Sequence, residues 1–421
     1  MMASLRHLVL LSTLLVLLCH LSSAQFGSSP YYYQHWCGGS LEYLDDASCA
    51  KRFPSSFSRS WQCPTVTPVS DVPPGYAPDT TDVHSISINR TALQWVPFSS
   101  RLNLCAILVR RTSAGVLYRY VSNGREQTPF ETWSSSKIFA MADAAGTLES
   151  NCSFGLSGFT SGKDGVSALG DLGTVVCSYD TTAGYTSNSL AKYFATAGGK
   201  ARLNWLVQSW MQQNGTGQSL GGSYGEDPPP DLAYSYSPSA SSPPSCSLTP
   251  DVTTPYVENS LSAFTMAEMT RRLVLHRDVL PPNRFPGVQW ADVQNELYGA
   301  APSLFFAGLQ WGGMTADPAI FVQSGTNITD IQVRSAGQWR IFSKLGAGYS
   351  SSRNVGEITN NAYACFPVLG ADGQPLPGQG VEFVLTARAS VPKDTTLEGA
   401  QYEIQHAIAA IVQAIVNGTL A

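Results

Sequence analysis

The sequence predicts an α+β fold in which an antiparallel five-stranded sheet is flanked by helices. Two β-rich runs open the regular part of the chain, a block of helical segments follows, and three more β-rich runs precede a long final helix. Strands that follow one another usually pair, and amphipathic helices cover the faces of the resulting sheet. The chain has 421 residues, 43% hydrophobic and 13% charged, which is enough apolar material for a large core.

The first two strands form a predicted hairpin. Residues 104–111 and 116–121 are β-rich, and residues 113–115 (Ser-Ala-Gly) suit a turn between them.

Four segments with helix-forming composition come after the hairpin. They span residues 137–145, 190–197, 203–211 and 265–275. The stretch 228–250 is rich in Pro and Ser and predicts a long surface loop.

The C-terminal part returns to β structure. Residues 339–343, 362–368 and 381–387 predict strands, and the last helix is predicted to start near Thr396. Its apolar residues recur at helical spacing and indicate packing on the core, with no functional role. They are Leu397, Ile404, Ile408, Ile411 and Ile415.

The N-terminus predicts a secretory signal peptide over residues 1–24. Arg6 and His7 precede an apolar run, which ends in small residues before Gln25. A retained membrane anchor is the alternative, but the run is short and no later segment is apolar enough to span a bilayer. We expect a Tyr-, Ser- and Pro-rich extension over 25–98 and the main domain over 99–421.

Cysteines and sequons agree with export. The eight cysteines after the leader predict four disulfides, at least one of them joining the extension to the main domain if all are paired. These are Cys37, Cys49, Cys63, Cys105, Cys152, Cys177, Cys246 and Cys365. Asn-x-Ser/Thr sequons predict glycan sites on the surface. They lie at Asn89, Asn151, Asn214, Asn327 and Asn417.

Composition also excludes several partners. The formal net charge of -5 provides no basic field for nucleic acid. No C-x-x-C pair occurs and the histidines are scattered, so we expect neither a zinc site nor a cofactor. The oligomeric state is not predicted by the sequence.

One serine motif is the G-x-S-x-G around Ser219. A nucleophile elbow needs a buried strand before the serine and a helix after it. Here a polar segment with a sequon precedes Ser219 and further glycines follow. A hydrolase of this kind would also need His276 or His406 close to Ser219.

The second serine motif, Ser-x-x-Lys, starts at Ser134, Ser189 and Ser390. Only Ser134 stands at the start of an apolar helix directly after a predicted hairpin. Residues i and i+3 share a helical face, so the Lys137 amine can reach the Ser134 hydroxyl. The helix N-terminus adds N–H groups where an oxyanion would form.

Two further motifs follow Ser134 in order. Thr186-Ser187-Asn188 opens a predicted helix, and Lys344-Leu345-Gly346 ends the predicted strand 339–343. The order Ser-x-x-Lys, Ser/Thr-x-Asn, Lys-x-Gly resembles that of class A β-lactamases and penicillin-binding proteins. The resemblance covers roughly residue 100 to the end. It implies the β-lactamase/transpeptidase-like fold, with an all-helical subdomain beside the sheet.

The resemblance also implies roles for individual residues. Ser134 would be the nucleophile and Lys137 would hold or accept its proton. Thr186, or else Ser187, would relay a proton, and Asn188 would bind both the substrate amide and Lys137. Lys344 would attract a substrate carboxylate.

Further roles concern the substrate's oxygens and the attacking water. The oxyanion hole would use the backbone N–H groups of Ser134 and Ala347, which follows Gly346. Arg353, on the following strand, resembles a carboxylate-binding arginine. Glu226 resembles the glutamate that activates the deacylating water, but Asp227 is the residue that directly precedes a proline, as the family's glutamate does.

Two departures from the family's pattern concern substrate recognition. Leu345 replaces a threonine whose hydroxyl contacts the substrate carboxylate, and Thr186 replaces a serine. Loss of one hydrogen bond to a charged group costs about 1.5–3 kcal/mol, which weakens recognition roughly ten- to a hundredfold.

The sequence therefore predicts two alternative functions. The first is a secreted serine hydrolase that acts on β-lactams or on related amides, peptides or esters through an acyl-enzyme. The second is a catalytically impaired secreted binding protein on the same scaffold. The expected partner is a small-molecule or peptide acyl substrate, with no membrane contact after the leader is removed.

Overall fold

The computed structural model describes residues 63–70, 72–163, 165–178, 184–298, 338, 340–394 and 397–420. The predicted signal peptide, most of the extension, Cys37, Cys49 and Asn327 lie outside these residues. Within them, no helix is both long and apolar enough to cross a bilayer.

Thirteen strands are present in the described part of the chain. In order they are β1 (Ala77–Pro78), β2 (Ile88–Asn89), β3 (Asn103–Thr112), β4 (Gly115–Ser122), β5 (Phe130–Glu131), β6 (Phe159–Gly162), β7 (Gly165–Ala168), β8 (Ser235–Ser237), β9 (Cys246–Ser247), β10 (Ser260–Leu261), β11 (Arg340–Ser350), β12 (Val355–Leu369) and β13 (Pro375–Pro392).

Seven α-helices are present in the same described residues. They are α1 (Lys137–Cys152), α2 (Leu169–Ser178), α3 (Ser187–Gly198), α4 (Lys200–Trp205), α5 (Ala263–Val274), α6 (Trp290–Tyr298) and α7 (Leu397–Val416).

The main sheet has the strand order β1-β4-β3-β13-β12-β11, with β2 added beside β4. Its five long strands, β4-β3-β13-β12-β11, pair antiparallel throughout, which confirms the predicted fold class. The chain is thus a mixed α+β structure, and β11 is the outermost strand on one side of the sheet as far as the described residues show it.

Each face of the sheet is buried by helices. Leu104, Ala106 and Leu108 belong to an apolar cluster with α7 on one face. Cys105, Ile107 and Val109 belong to the cluster with α1, α3 and α5 on the other. This alternation follows from the two-residue period of a strand. Ile404, Ile408 and Ile411 of α7 are fully buried, so the predicted core stripe of the last helix is confirmed.

A second layer of structure lies beside the sheet. Helix α1 packs on α3 and on α2, which form the helical part of the predicted architecture. The same region also contains a four-stranded sheet of order β7-β6-β8-β9, which the prediction of an all-helical subdomain did not include. The predicted loop 228–250 supplies β8 and β9 of this sheet, because the backbone pairing of Tyr236 with Cys246 and Thr160 fixes it.

Two other predictions differ from the structure in their extent. The predicted helix 203–211 is α4 followed by a π-helical turn, Leu206–Trp210. The predicted strand 339–343 continues to Ser350, because β12 pairs with β11 along its whole length.

The cysteines form two disulfides in the described residues, Cys63–Cys365 and Cys152–Cys246. The first ties the end of the extension to β12, the bridge that the cysteine count required. Cys105 and Cys177 are buried and stand outside any disulfide, so the prediction of four disulfides is wrong at these positions. Both side chains lie in the apolar core, where a cysteine packs as a small hydrophobic residue.

Candidate active site

Ser134 lies on a short 3₁₀ turn, Trp133–Ser136, between β5 and α1. The turn leads directly into α1, and the backbone N–H of Lys137 donates to the Ser134 carbonyl. Trp133, which precedes Ser134, has a φ of 50°. Such a backbone is costly for a large side chain and persists only where its surroundings impose it. The turn therefore fixes the direction in which the Ser134 backbone leaves β5.

Hydrogen bonds to neighbouring elements hold this turn. The Thr132 N–H donates to the Asn259 carbonyl at 2.9 Å, beside the β5–β10 pairing. The Thr132 hydroxyl donates to the Ser136 hydroxyl at 2.8 Å. From the sheet, the buried Thr359 hydroxyl of β12 donates to the Thr132 carbonyl at 3.0 Å. The turn is thus anchored on two sides.

The edge strand β11 approaches this turn at Gly346. A Cβ placed on Gly346 would lie 2.4 Å from the Thr132 carbonyl oxygen and 2.8 Å from the Ser135 nitrogen. Both atoms are backbone, so only glycine fits there without displacing the turn. Ala347 follows Gly346 on the same strand and is half-buried. The predicted oxyanion residues, Ser134 and Ala347, are therefore brought to adjoining elements.

Lys137, the first residue of α1, is held by two side chains from α3. Its Nζ donates to the Ser187 Oγ at 3.0 Å and to the Asn188 Oδ1 at 2.5 Å. The Tyr224 ring centroid lies 6.0 Å from the same ammonium. Lys137 is only 1% exposed, so these contacts replace its hydration.

The surroundings favour the neutral form of the Lys137 amine. Burial holds the pKa of Lys137 well below its usual range, and the nearby Lys344 ammonium lowers that pKa further. The Glu226 carboxylate acts in the opposite direction. A lysine with this pKa can accept a proton at a pH where an exposed lysine cannot.

Thr186, Ser187 and Asn188 open α3, as the sequence predicts. Thr186 is the N-cap residue, and its Oγ1 accepts from the Ser189 N–H at 3.1 Å. Ser187 donates from its Oγ to the Val176 carbonyl at 2.7 Å while accepting from Lys137. The sequence left open whether the hydroxyl of Thr186 or that of Ser187 relays a proton. The Ser187 hydroxyl is the one in contact with Lys137.

Glu226 lies beside the second motif. It accepts from the Thr186 hydroxyl in a short hydrogen bond and from the Asn188 Nδ2 at 3.2 Å. Asp227 is directed outward, with its side chain 97% exposed and paired with Lys192 at 3.2 Å. Of the two carboxylates that the sequence left open, Glu226 is the one at the site.

The third motif lies in the middle of β11 and does not end a strand. Lys344 is fully buried and close enough to Lys137 to lower the pKa of that residue. Leu345, one residue on, points to the opposite face and lies in the apolar cluster with α7. It is 3% exposed. Strand alternation therefore directs position 345 into the core and away from the site.

Arg353 differs from its predicted position. It lies in the turn between β11 and β12, and not on a strand, because β11 extends to Ser350. Its Nη2 donates to Glu131 at 2.8 Å and to Glu357 in a shorter contact. The guanidinium is thus already paired with two carboxylates next to the Ser134 turn.

In the described part of the chain, neither His276 nor His406 is hydrogen-bonded to Ser219. Ser219 donates from its Oγ to the Glu258 carbonyl at 2.8 Å. His406 packs on Phe98 and Tyr402 on the α7 side of the sheet. His276 is buried just after α5, where burial and Arg284 lower its pKa to about 4.

Three residues that sequence reasoning missed complete the site. Asn259 accepts from the N–H groups of Gly221 and Gly222 at 3.1 and 2.9 Å, which ties the segment before Glu226 to β10. Tyr224 donates to the Ser136 carbonyl at 3.2 Å. Thr359 lies opposite Gly346 in the β11–β12 register. No local sequence pattern identifies these three residues, because each contact joins segments that are far apart in the chain.

These residues place a buried amine, a hydroxyl nucleophile candidate and a carboxylate around one turn. Lys137 Nζ is hydrogen-bonded to Ser187 and Asn188 at the start of α3, and Glu226 is hydrogen-bonded to Thr186 and Asn188 there. In general, a neutral amine accepts a proton from a nearby hydroxyl and a carboxylate orients a water. Within the described residues, no group of three or more His, Cys, Asp or Glu side chains is arranged to hold a metal ion.

Solved structures with a similar fold include β-lactamases. The chain aligns with a β-lactamase from Streptosporangium roseum at 14% identity and a TM-score of 0.40, covering 78% of this chain and 98% of that one. A β-lactamase from Burkholderia vietnamiensis aligns at 16% identity and a TM-score of 0.38, covering 75% and 91%.

A transpeptidase domain aligns as well. It belongs to penicillin-binding protein 3 of Burkholderia pseudomallei, at 14% identity and a TM-score of 0.33, covering 74% of this chain and 87% of that domain. No family model and no curated protein matches the chain. Similarity at this level transfers no activity, so function depends on the geometry of the site itself.

Proposed function

We propose that this chain is a secreted serine hydrolase that forms an acyl-enzyme on Ser134. The observation that carries the proposal is the placement of Lys137. Its buried amine follows Ser134 by one turn and is held by Ser187 and Asn188 at 3.0 and 2.5 Å. A lysine with a lowered pKa beside a serine on a strained turn is an arrangement that activates a hydroxyl.

In the first step the neutral Lys137 amine accepts the Ser134 hydroxyl proton. The Ser134 oxygen attacks the substrate carbonyl carbon, and the carbonyl π electrons move to its oxygen. The backbone N–H groups of Ser134 and Ala347 would stabilise this oxyanion. Among the described residues β11 is the last strand on its side of the sheet, so its outward N–H groups are not paired with another described strand.

Collapse of the tetrahedral intermediate expels the leaving group, which takes a proton. We assign this step to a relay in which the Ser187 hydroxyl leaves the Val176 carbonyl and gives its proton to the leaving group, while the Lys137 ammonium, 3.0 Å away, returns to Ser187 the proton that it took from Ser134. Thr186 has a different role here, since its hydroxyl is used to cap α3 and to orient Glu226.

Hydrolysis of the acyl-enzyme then needs an activated water. Glu226 is the base we assign to it, because Thr186 and Asn188 hold its carboxylate at the site. The water would attack the ester carbon and release the acid, returning the proton to Ser134.

The substrate class follows from the charges around the turn. Lys344 is the cation that we assign to the substrate, because it is buried at the site and its ammonium favours a substrate with a carboxylate near the reacting carbonyl. Arg353 does not provide this charge, because Glu131 and Glu357 neutralise it. β-Lactams and small peptide amides or esters have the required combination of a carbonyl and a carboxylate.

Secretion is part of the proposal. The Cys63–Cys365 and Cys152–Cys246 disulfides suit an oxidising compartment. The predicted leader and the five sequons point to the same route.

Turnover of a chromogenic cephalosporin and of a D-alanyl ester by the purified secreted chain tests the proposal. We expect hydrolysis of at least one of them by the wild type and loss of that activity in Ser134→Ala. Ser390→Ala is the matched control, since it changes the serine of another Ser-x-x-Lys motif. Equal activity of Ser134→Ala and wild type would reject Ser134, and loss in Ser219→Ala alone would favour the other serine motif.

A further inference from the structure

A cavity of about 400 Å³ lies at the opposite end of the sheet from Ser134. It is lined by β3 and β13, by the segment that follows Cys63, and by the end of α7. Glu382 lies on the cavity wall, and Arg388 lies six residues further along β13, which is roughly 20 Å of extended strand. Arg388 is at the Ser134 end of the strand, where its Nη2 donates to Glu357 in a short contact. Its volume falls within the usual range for small-molecule sites.

The walls of this cavity are held in place by covalent and backbone contacts. The Cys63–Cys365 disulfide fixes the start of the covering segment. The Thr67 N–H donates to the Gly378 carbonyl at 2.9 Å and the Val69 N–H to the Arg111 carbonyl at 3.3 Å. The cavity is therefore a formed feature of the fold.

Most of the lining is apolar. Val69, Leu108, Val381 and Ile415 contribute aliphatic surface from four different elements. A hydrocarbon chain would bury its surface against these side chains.

One cation faces this apolar lining. Arg110 stacks over the Tyr76 ring at 5.8 Å, and its Nε is buried without a hydrogen-bond partner among the described residues. Glu382 lines the same cavity, but its carboxylate accepts from Arg111 and from Tyr363. A buried guanidinium N–H without an acceptor is costly, and a carboxylate is the group that pairs best with it.

We propose that this cavity binds a small amphipathic monocarboxylate, with its carboxylate on Arg110 and its hydrocarbon chain against the aliphatic wall. A single negative charge is favoured over a double one. Of the described residues that line the cavity, Arg110 is the one with a guanidinium, while Glu382 and the negative end of the α7 dipole lie on its wall. The site is independent of the proposed hydrolase chemistry.

Titration calorimetry of the full chain with decanoate at neutral pH tests this site. We expect saturable one-to-one binding to the wild type and unchanged binding to Ser134→Ala. Arg110→Gln should bind at least about tenfold more weakly. Arg101→Gln, which changes a mostly exposed arginine paired with Glu403, is the matched control and should bind like the wild type.

Ligand variants keep the test decisive if Arg110→Gln does not fold. Uncharged 1-decanol should bind the wild type at least about tenfold more weakly than decanoate, and inorganic phosphate should not displace decanoate. Absence of saturable binding, equal affinity for decanol, displacement by phosphate, or loss of binding in Ser134→Ala would each overturn the proposal.

Discussion

The Trp133 indole N–H donates to the Glu357 carboxylate at 3.2 Å. Glu357 is fully buried on β12 and also accepts from Arg353 and Arg388. The ring of Trp133 lies on Gly348 of β11, where a Cβ would come within 2.3 Å of it. Trp133, the residue with the positive φ before Ser134, is thus held by its hydrogen bond to the buried Glu357 carboxylate and by the packing of its ring on Gly348.

Removing this one hydrogen bond should slow acylation of Ser134. Trp133→Phe keeps an aromatic ring on Gly348 but loses the N–H, so we expect a rate about three- to tenfold lower with little change in KM. Trp95→Phe is the control, because Trp95 is 54% exposed and donates to Ala92 in a surface turn. Stopped-flow acylation measures both. A Trp133→Phe protein that is less stable but acylates at the wild-type rate would contradict this positioning role.

Gly346→Ala should impair activity more than stability. Its Cβ would meet two backbone atoms of the Ser134 turn, and displacement of a reacting group by about 1 Å costs roughly a hundredfold in rate. Gly399→Ala on α7 meets only a Val391 methyl at 3.5 Å, so its rate should stay within about twofold of wild type. Equal rates for the two variants would show that β11 does not fit closely against the turn.

The pH dependence of acylation should follow the Lys137 amine. Below the lowered pKa of Lys137 the amine is protonated and cannot accept a proton, so the rate should rise as the pH passes through that pKa. Lys137→Arg stays protonated and should lose at least about a hundredfold in rate. Lys192→Arg, on α3, is the control. An inflection of the acylation rate at a pH in the usual pKa range of lysine would contradict the effect of burial on Lys137.

Glu226→Gln should trap the acyl-enzyme. Acylation should remain near the wild-type rate, while deacylation should slow by at least about a hundredfold because the water loses its base. Asp227→Asn, one residue on, is the matched control, since its side chain is 97% exposed and paired with Lys192. Intact mass over time gives both rates. Faster decay of the adduct in Glu226→Gln than in Asp227→Asn would exclude Glu226 as this base.

Two buried groups should give opposite slopes of stability against pH. Burial raises the pKa of Asp143 on α1 to about 7 despite its ion pair with Arg202. Between about pH 4 and 7 the folded state then binds more protons than the unfolded state, so this group makes stability fall as pH rises. Burial lowers the pKa of His276 to about 4, so this group makes stability rise between about pH 4 and 6.5.

The matching variants separate these two contributions. Asp143→Asn should make the slope of unfolding free energy against pH more positive, and His276→Gln should make it more negative, each by up to about 1.4 kcal/mol per pH unit. Urea unfolding at several pH values measures the slopes. Shifts of the same sign in both variants would contradict the assignment.

Local patterns predicted much of the fold. The hairpin of β3 and β4 and the start of α1 follow from composition and turn residues over short stretches. The end of β11 could not be predicted from composition, because residues 346–350 have little β propensity and form a strand through their pairing with β12. That error placed Arg353 on a strand, whereas it lies in the following turn.

The candidate site was only partly accessible from sequence. Ser134 and Lys137 share one turn, but the contact of Lys137 with Asn188 joins residues 51 positions apart, and a family resemblance, not spacing, pointed to it. Asn259 and Thr359 reach the Ser134 turn through strand pairing. No local pattern identifies such contacts. Leu345 is the opposite case: its place in the Lys-x-Gly motif predicted a role at the site, but strand alternation directs its side chain into the core.

Peptide mapping of the protein after incubation with a fluorescent penicillin locates the acylated residue. We expect the wild type to carry the acyl group on the Ser134 hydroxyl, within the peptide that contains Ser134, and Glu226→Gln to carry more of it. An adduct on Ser219 or on any other residue, with Ser134 unmodified, would show that Ser134 is not the nucleophile.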